Sequence, residues 1–503
     1  IRGLLERGWI GEKAGQGCFK RVKGAGGASD ILVLDPATFE YVPRVPVARP
    51  VLDALRDQRG GAGGRIKALM LGTSEESAFT RATLGQTLLY TARVWATIAH
   101  DIDDVDRAMR WGFGWDIGPF EIIDAIGIGE LLQAMAAGGE GDEPPALLAE
   151  ALAAGRNTIR VPGVFRADPP ELLILAGARE RQAVVASNSA ASVLDTGDGI
   201  FAVELHSKMN AIGGDTLAMI QAGIERTERD GIGLVIGTQG PVFSAGANLM
   251  LLLMEAQDGE WDAIDAMIRS FQRTVLSLRD AQVPVVAAIN GLTLGGATEM
   301  SLHAAGVQAA AETYMGLVEV GVGLIPAGCG TKEMLWRASQ QRPSRQADAL
   351  PFVQKAFETM GFGTVSTSAA HARALGFLRN GDGISMHRSR LHADARELVQ
   401  ARAAGYVPGH APAAIPVGGP DVLAALHLGV HLAHRAGRIS DHDATIGRKL
   451  AWVLAGGDVP HATEVPEAYV LDLEREAFLS LCGEPKTQAR IAHTLATGKT
   501  LRN

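Results

Sequence analysis

Cysteine is scarce in this sequence, with only Cys18, Cys329 and Cys482 among 503 residues. The three lie far apart, so they form neither a disulfide framework nor the short spacing of a metal-binding cluster. Few cysteines and no disulfide pattern are typical of a protein that works in a reducing cytosol. We therefore expect a cytoplasmic protein without a metal site.

Long apolar runs are also missing, and no stretch reaches the roughly 18 residues that a membrane-spanning helix needs. The most apolar stretch, residues 283–302, is interrupted by Asn290, Thr293, Thr298 and Glu299. A block of basic residues is lacking too, and the net charge is −9. Proteins that bind nucleic acid usually carry a basic patch. We expect neither a membrane span nor a nucleic-acid partner, so an anionic ligand would be met by local positive charge or by backbone N–H groups.

The first residue is Ile1 rather than Met, and no signal sequence with a basic and then an apolar segment follows it. Residues 1–7 already read as a helix. This predicts a fragment whose N-terminal part is missing. A chain of this length is nevertheless expected to form two to four domains.

Helical periodicity dominates the first third of the chain. Between residues 51 and 154 apolar residues recur at helical spacing, including a stripe from Leu84 to Ala99. Flexible breaks are expected at residues 24–27 and 162–170, and a linker where Pro43, Pro46 and Pro50 occur. The sequence predicts an all-helical region between these breaks.

The pattern changes after Pro170. Short apolar runs at residues 199–205, 233–236 and 283–289 predict buried strands, and residues 215–229 and 261–281 predict helices between them. Alternation of strands and helices predicts an α/β domain. The tail, residues 421–503, again reads as helical, and residues 337–360 read as a helical insertion.

The stretch 290–299, NGLTLGGATE, can be interpreted without any family. A strand is predicted to end at Asn290, a glycine-rich turn follows, and a helix begins near Gly296. Free N–H groups and the helix dipole favour negative charge at such a helix start, and Gly295 and Gly296 let a ligand approach the backbone closely. Glu299 would lie one turn further, beside a developing oxyanion. Alternatively, the glycine pair serves packing alone and the glutamate only complements the dipole.

Three further stretches accompany this one. They are HSKMNA at residues 206–211, FSAGANL at 243–249, and MGLVE at 315–319 with GLIP at 323–326. In this order the four stretches resemble the crotonase, or enoyl-CoA hydratase/isomerase, superfamily over roughly residues 187–390. The resemblance implies a spiral of ββα units and an oxyanion hole formed by the N–H groups of Ala247 and Gly296. It also implies that Glu299 and Glu319 are the two catalytic glutamates.

The same resemblance implies a CoA thioester as substrate. Its thioester oxygen would accept hydrogen bonds from the two N–H groups, Glu319 would handle the α-carbon proton, and Glu299 would help to activate water. Lys208 and Ala211 resemble the loop that holds the CoA nucleotide. The other implied substrate-binding residues are Ala245, Gly246, Asn248, Leu249 and Gly295.

Two positions depart from the family pattern. Asn248 replaces the commoner aspartate beside the oxyanion loop, which puts hydrogen bonding within that loop in doubt. Cys329 stands where glycine is usual, and we interpret it as a small packed thiol rather than a nucleophile.

The flanks resemble 3-hydroxyacyl-CoA dehydrogenases. GWIGEKAGQGCFK at residues 8–20 is similar to the end of the first C-terminal domain of that family, and residues 101–109 and 115–121 resemble its second such domain. Residues 473–478 and 498–503 match the tail of bacterial fusion proteins of β-oxidation. The charged run 101–107 is interpreted as a solvated helix face with a cap.

Together the resemblances imply an all-α dehydrogenase C-terminal-type region, then an α/β crotonase domain, then a helical tail. The expected segments are a first-domain remnant with linker at 1–45, a second helical domain at 46–170, the crotonase domain at 180–420 and the tail at 421–503. No G-x-G-x-x-G motif of a dinucleotide-binding βαβ unit is present. NAD is therefore expected for the full-length dehydrogenase but not for this chain, and hydration needs no cofactor.

The predicted activity is hydration of trans-2-enoyl-CoA to 3-hydroxyacyl-CoA in fatty-acid β-oxidation. Another crotonase reaction, such as double-bond isomerisation, and a catalytically silent scaffold are the alternatives. Both glutamates at their expected spacing favour the hydratase. By resemblance, the crotonase domain is also expected to form a homo-oligomer.

Overall fold

A computed structural model of the chain describes residues 2–23, 29–45, 48–55, 58, 61–139, 143–161, 172–173, 175, 183–344 and 346–503. The chain divides into two compact units, Ile1–Val164 and Phe165–Asn503. The predicted breaks at residues 24–27 and 162–170 lie outside the described residues, as does Pro46 of the predicted linker. The expected four-segment boundaries stay predictions.

The first unit opens with a small antiparallel sheet that the sequence did not predict. Helix α1 (Arg2–Glu6) and a 3-10 turn (Glu12–Ala14) precede strands β1 (Phe19–Lys23), β2 (Ser29–Leu34) and β3 (Tyr41–Pro43). The order is β1-β2-β3, with Phe19 opposite Val33 and Leu34 opposite Tyr41. Pro43 indicated a linker, but it ends an edge strand, where a missing backbone donor is tolerated.

The rest of the first unit is helical, as predicted. Its helices are α2 (Pro50–Ala54), α3 (Gly61–Leu71), α4 (Glu75–Thr80), α5 (Gln86–Ile98), α6 (Ile102–Phe113), α7 (Pro119–Ile126), α8 (Ile128–Ala137) and α9 (Ala146–Ala153), with a π-helical turn at Arg81–Gly85. Leu88, Leu89 and Ala92 of the predicted stripe are buried in the core of this unit.

The charged run 101–107 is only partly a solvated face. Asp101 caps α6, as expected. Asp106, in contrast, is 3% exposed and accepts hydrogen bonds from the N–H groups of Phe120 (2.8 Å) and Glu121 (3.1 Å) at the start of α7. Burial raises the pKa of Asp106 to about 6, although Arg160 donates to it at 2.7 Å. The prediction was wrong for Asp106 because free N–H groups of the next helix need an acceptor there.

A seven-stranded sheet forms the centre of the second unit. Its order is β10-β9-β8-β7-β6-β5-β4, antiparallel among β4, β5 and β6 and parallel from β6 to β10. The strands are β4 (Val184–Ser187), β5 (Ala191–Asp195), β6 (Ile200–Leu205), β7 (Gly233–Gly237), β8 (Val285–Leu294), β9 (Gly306–Gly316) and β10 (Gly383–Ser385). The three strands predicted from apolar runs are β6, β7 and the first half of β8.

The helices of the second unit pack on both faces of this sheet or against one another. They are α10 (Gly214–Asp230), α11 (Leu249–Asp258), α12 (Trp261–Asp280), α13 (Gly296–His303), α14 (Gly330–Gln340), α15 (Leu350–Gly361), α16 (Ala369–Ala374), α17 (Leu391–Ala403), α18 (Gly419–Arg435), α19 (Asp441–Ala455), α20 (Glu467–Cys482) and α21 (Pro485–Thr497). Turns of 3-10 helix lie at Lys208–Asn210, Glu319–Val322 and Arg388–Arg390, and β11 (Ile415–Val417) pairs with β12 (Thr463–Val465). The tail is helical apart from β12, as predicted.

Alternate residues of the central strands enter two different cores. Val203 and Ile236 face the larger core, which includes α10 and α12, whereas Ala202 and Val235 face a smaller core with α17. Burial on both faces explains why these strands appear as continuous apolar runs in the sequence. Among the helices that the structure describes, none combines the length and the apolar character that crossing a bilayer requires.

Candidate active site

Strand β8 leads directly into the candidate site. The helix starts at Gly296, as predicted, but the strand runs to Leu294 rather than ending at Asn290. A register shift between Ile289 and Gly291 separates its two halves, and the second half pairs with β9 from Gly291 opposite Thr313 onward. The predicted strand end was wrong because glycine-rich residues after the shift continue the pairing.

The two glycines at the strand–helix junction permit close approach of side chains. Gly295 has a φ of +55°, and a Cβ there would lie 3.0 Å from Glu319 Oε1. A Cβ on Gly296 would lie 2.8 Å from Phe271 Cζ. A larger residue at either position would therefore displace the catalytic candidate Glu319 or the ring of Phe271.

The loop before α11 lies against this junction. The N–H of Leu294 donates to Ser244 O (3.1 Å), and the N–H of Ile212 donates to Gly246 O (2.9 Å). A Cβ on Gly246, whose φ is +102°, would lie 3.7 Å from Gly296 N. Within the described residues, the N–H groups of Ala247 and Gly296 donate no hydrogen bond. The two predicted oxyanion donors thus lie in adjoining loops and remain available.

Asn248 closes the loop by capping α11. Its Oδ1 accepts from the N–H groups of Met250 (3.2 Å) and Leu251 (3.4 Å). An amide oxygen can cap a helix much as a carboxylate does. The replacement that put hydrogen bonding of this loop in doubt therefore leaves the cap in place.

Glu299 lies in the first turn of α13 and is 4% exposed. Its Oε1 accepts from the N–H of Gly330 at 2.8 Å. Burial raises the pKa of Glu299 to about 7, opposed by hydrogen bonds from the backbone at Gly330 and Gly328. A Cβ on either glycine would lie 2.6 Å from a carboxylate oxygen of Glu299. Neither glycine was predicted as a site residue from the sequence, although the pattern A-G-C-G after the Ile-Pro turn offered a signal.

Glu319 begins a 3-10 turn on the other side of the junction. Its Oε2 is buried and has no hydrogen-bond partner among the described residues. Burial, followed by the charge of Glu299, raises the pKa of Glu319 well above its usual value. Because a charge on Glu299 raises the pKa of Glu319, one carboxyl group favours its protonated form when the other is ionised.

Cys329 lies between the two glycines that border Glu299. It is buried with a φ of +81°, and its N–H donates to Glu474 Oε2 at 3.1 Å. Burial raises the pKa of the Cys329 thiol well above its usual value, which is the opposite of what a nucleophilic thiolate needs. Glu474 also accepts a hydrogen bond from the N–H of Lys332, and no local sequence signal pointed to this carboxylate.

A cavity of about 1370 Å³ joins these groups. Its lining includes nearly all the predicted site residues, namely Lys208, Ala245, Gly246, Ala247, Asn248, Leu249, Gly295, Gly296, Glu299 and Glu319. Ala211 is not part of this lining. Lys208 is exposed at the rim. The cavity continues between apolar residues of α15, α18 and α19, such as Phe357, Leu426 and Ile446.

The arrangement of the described His, Cys, Asp and Glu side chains does not favour metal binding. Across the described residues, no group of three or more His, Cys, Asp or Glu is placed to hold a metal ion. The functional groups of the site are therefore two free N–H groups and two carboxyl groups, which lie at an apolar cavity. This combination can stabilise an oxyanion and move protons beside it.

Comparison with known proteins matches both parts of the chain. Residues 195–348 match the enoyl-CoA hydratase/isomerase family, and residues 79–160 match the C-terminal domain of 3-hydroxyacyl-CoA dehydrogenases. Both resemblances and the predicted fold class are thereby confirmed. A solved enoyl-CoA hydratase from Bacillus halodurans is 16% identical with a TM-score of 0.41, covering 60% of this chain and 99% of that chain.

Two longer relatives match large parts of this chain. A Bacillus subtilis (strain 168) protein named as a 3-hydroxyacyl-CoA dehydrogenase is 43% identical over 518 residues, which cover 99% of this chain and 63% of that protein. A Rickettsia felis protein, named as the trifunctional enzyme of a fatty acid oxidation complex, is 26% identical over 67% of this chain and 43% of that protein. The chain thus spans less than two thirds of either relative.

Proposed function

This chain joins a domain of the enoyl-CoA hydratase/isomerase family to a C-terminal domain of the 3-hydroxyacyl-CoA dehydrogenase family, and from that premise we propose that it hydrates trans-2-enoyl-CoA to 3-hydroxyacyl-CoA. The observation that carries the proposal is a pair of glutamates, Glu299, which is buried, and Glu319, whose Oε2 is buried, beside two N–H groups that have no partner among the described residues.

The free N–H groups of Ala247 and Gly296 act as the oxyanion hole. They donate to the thioester carbonyl oxygen, on which negative charge builds as the α-carbon becomes enolate-like. Donors fixed in advance cost no reorganisation during the reaction, and losing one typically lowers the rate by about 10²–10³.

The two glutamates divide the proton transfers. The pKa of Glu319 is raised mainly by burial and then by the charge of Glu299. Glu319 therefore holds a proton, which it donates to the α-carbon. Glu299 ionises above its pKa of about 7 and takes a proton from the water whose oxygen bonds to the β-carbon. Carboxyl groups with pKa values pushed apart can serve as acid and base in one step.

The remaining site residues bind the substrate. Ala245, Gly246, Asn248, Leu249 and Gly295 shape the thioester end of the cavity. Lys208 at its rim offers positive charge to the CoA phosphates. Ala211 belongs to the same loop but contributes at most its backbone.

Double-bond isomerisation is the alternative reaction for this site. It moves a proton between two carbons and adds no water, so one carboxyl group suffices. Two buried carboxyl groups facing the same cavity favour hydration. A catalytically silent scaffold would need neither the free N–H groups nor buried carboxyl groups, whose desolvation is costly.

The activity of the whole protein is a wider proposal. The longer Bacillus subtilis relative is named as a 3-hydroxyacyl-CoA dehydrogenase, so we propose that the whole protein also oxidises 3-hydroxyacyl-CoA with NAD. Hydration itself uses no cofactor, and its product is the dehydrogenase's substrate. We further propose a cytoplasmic location and a homo-oligomer formed through the crotonase domain.

Hydration of crotonyl-CoA by the purified chain tests the main proposal. The absorbance of the conjugated enoyl thioester should disappear, and Glu319→Gln should lower kcat by about 10²–10⁴ with unchanged circular dichroism. Glu312→Gln, an exposed glutamate of β9, is the matched control. Isomerisation of a 3-enoyl-CoA without hydration would move the reaction to the alternative, and failure to bind acyl-CoA would sink both.

A further inference from the structure

Glu319 is oriented by its own backbone turn, because the hydrogen bonds to its carboxyl group come from the backbone at Glu319 and Val318. Its Oε2 has no hydrogen-bond partner in the described structure. The 3-10 turn that it begins, Glu319–Val322, is instead held from outside. Arg490 Nη1 donates to Val320 O at 3.2 Å, and Thr487 Oγ1 donates to Gly323 O at 2.9 Å. Both donors come from α21, about 170 residues further along the chain.

Arg490 is itself fixed on every side. Its side chain is only 2% exposed, and it forms an ion pair with Asp443 (2.7 Å, Nη1 to Oδ1). Its Nη2 donates to Ser440 Oγ at 3.2 Å, and its Nε donates to Asn503 Oδ1 at 2.9 Å. A buried guanidinium with fixed partners is a rigid donor, because little conformational freedom remains to be lost.

The turn has little freedom on its other sides. Gly323 has a φ of +91°, and a Cβ there would lie 2.7 Å from Thr487 Oγ1. A Cβ on Gly321 would lie 3.0 Å from Thr500 Cγ2. The C-terminal segment therefore surrounds the turn closely, and Arg490 is its charged contact with the residue next to Glu319.

From these contacts we infer that Arg490 is a positioning residue for Glu319, acting through the carbonyl of Val320; this rests on the proposed function of Glu319. Releasing that carbonyl lets the peptide between residues 320 and 321 rotate, which loosens the turn and moves the Glu319 carboxyl group relative to the α-carbon of the substrate. A displacement of about 1 Å at a reacting group can cost about 10²-fold in rate. Arg490 also lines the cavity, but the proposed oxyanion donors and Lys208 belong to other elements, so we expect acyl-CoA binding to be retained.

The competing explanation is that Arg490 only fastens α21 to α19. In that case its loss lowers the melting temperature but leaves kcat of the folded enzyme unchanged. The two explanations differ in the separation of kcat from KM and in the response to Arg490→Lys. Lysine retains one charged donor without the planar group that bridges Val320, Asp443 and Ser440.

The test compares Arg490→Met, Arg490→Lys and the matched control Arg448→Met, which changes an exposed arginine of α19. Each variant is assayed with crotonyl-CoA well below its melting temperature. We expect kcat to fall about 10- to 100-fold in Arg490→Met, with KM and the Kd of butanoyl-CoA within about threefold. Arg490→Lys should restore part of kcat, and Arg448→Met should match the parent.

An unchanged kcat in a folded Arg490→Met, or full activity of Arg490→Lys at a lowered melting temperature, overturns the inference. If Arg490→Met does not fold, Arg490→Lys alone decides.

A second readout separates this inference from the proposed hydration. In D₂O, Glu319 in its ionised form takes the α-proton of butanoyl-CoA as the C–H bond breaks, exchanges that proton with the solvent and returns a deuteron to the same carbon, with no water added. This exchange, followed by NMR, should slow in Arg490→Met by the same factor as kcat. A parent that exchanges but does not hydrate refutes hydration and leaves the exchange comparison to decide on Arg490. A parent that does neither overturns both.

Discussion

Replacing Glu299 by glutamine should stabilise the protein at alkaline pH while removing its activity. Burial raises the pKa of Glu299 from 4.5 to about 7, so the folded protein binds a proton between these values that the unfolded chain releases. Stability therefore falls as the pH rises through this range. Glutamine keeps an oxygen for the N–H of Gly330 but carries no charge to desolvate.

The expected magnitude follows from the shift. One pKa unit corresponds to about 1.4 kcal/mol, so ionised Glu299 costs roughly 3 kcal/mol above pH 7, and almost none of that below pH 4.5. Between pH 5 and pH 8, Glu299→Gln should gain roughly 2 to 3 kcal/mol relative to the parent. This gain is large beside the total stability of ordinary domains, about 5–15 kcal/mol.

Hydrogen exchange in increasing urea, followed by mass spectrometry on peptides from β8 and β9, measures the second unit alone. Parent, Glu299→Gln and Glu312→Gln are compared at pH 5 and pH 8. The difference between Glu299→Gln and the parent should widen at pH 8, whereas Glu312→Gln should follow the parent. Parallel curves for all three proteins would refute the burial cost assigned to Glu299.

Three further outcomes are expected. The hydration rate should rise with pH through about 7, because Glu299 must ionise to accept a proton from water; a rate that is flat from pH 5 to 8 would contradict its role as base. Gly330→Ala places a methyl group 2.6 Å from Glu299 Oε1, so kcat should fall by about 10²-fold with acyl-CoA binding retained, as isothermal calorimetry would show. At Gly429 of α18, which lines the cavity, a Cβ would meet nothing within 4 Å. Gly429→Leu should therefore lower kcat/KM for a long-chain enoyl-CoA by roughly 10-fold or more and affect crotonyl-CoA far less; equal losses would place the acyl chain elsewhere.

Local pattern was enough to predict much of the second unit. Strands β6 and β7 are buried on both faces, so apolar character alone marked them. Gly296 was predicted as a helix start because strand, glycine turn and polar residue follow in one continuous stretch. Ala247, Glu299 and Glu319 were predicted through a family resemblance that short motifs with fixed spacing carry, and their roles stay predictions.

What the sequence did not predict depends on contacts between distant segments. Arg490 meets Val320 across 170 residues, and Glu474 meets Cys329 across 145. Neither arginine nor glutamate in an amphipathic helix signals burial, since both are usually solvated. Asp106 was misjudged for the same reason, because the N–H groups that donate to it belong to the next helix.

Cys329 gives the segment beside Glu299 a built-in reporter. Its thiol is buried, and the adjacent N–H of Gly330 holds Glu299, whereas Cys18 is exposed. A thiol-alkylating reagent should consume Cys18 at once and reach Cys329 only when the surrounding chain opens. The labelling rate of Cys329 then gives the free energy of that local opening, and saturating acyl-CoA should slow it if ligand and open segment exclude each other. The rate of this local opening can thus be measured in the unmodified sequence, without an engineered probe.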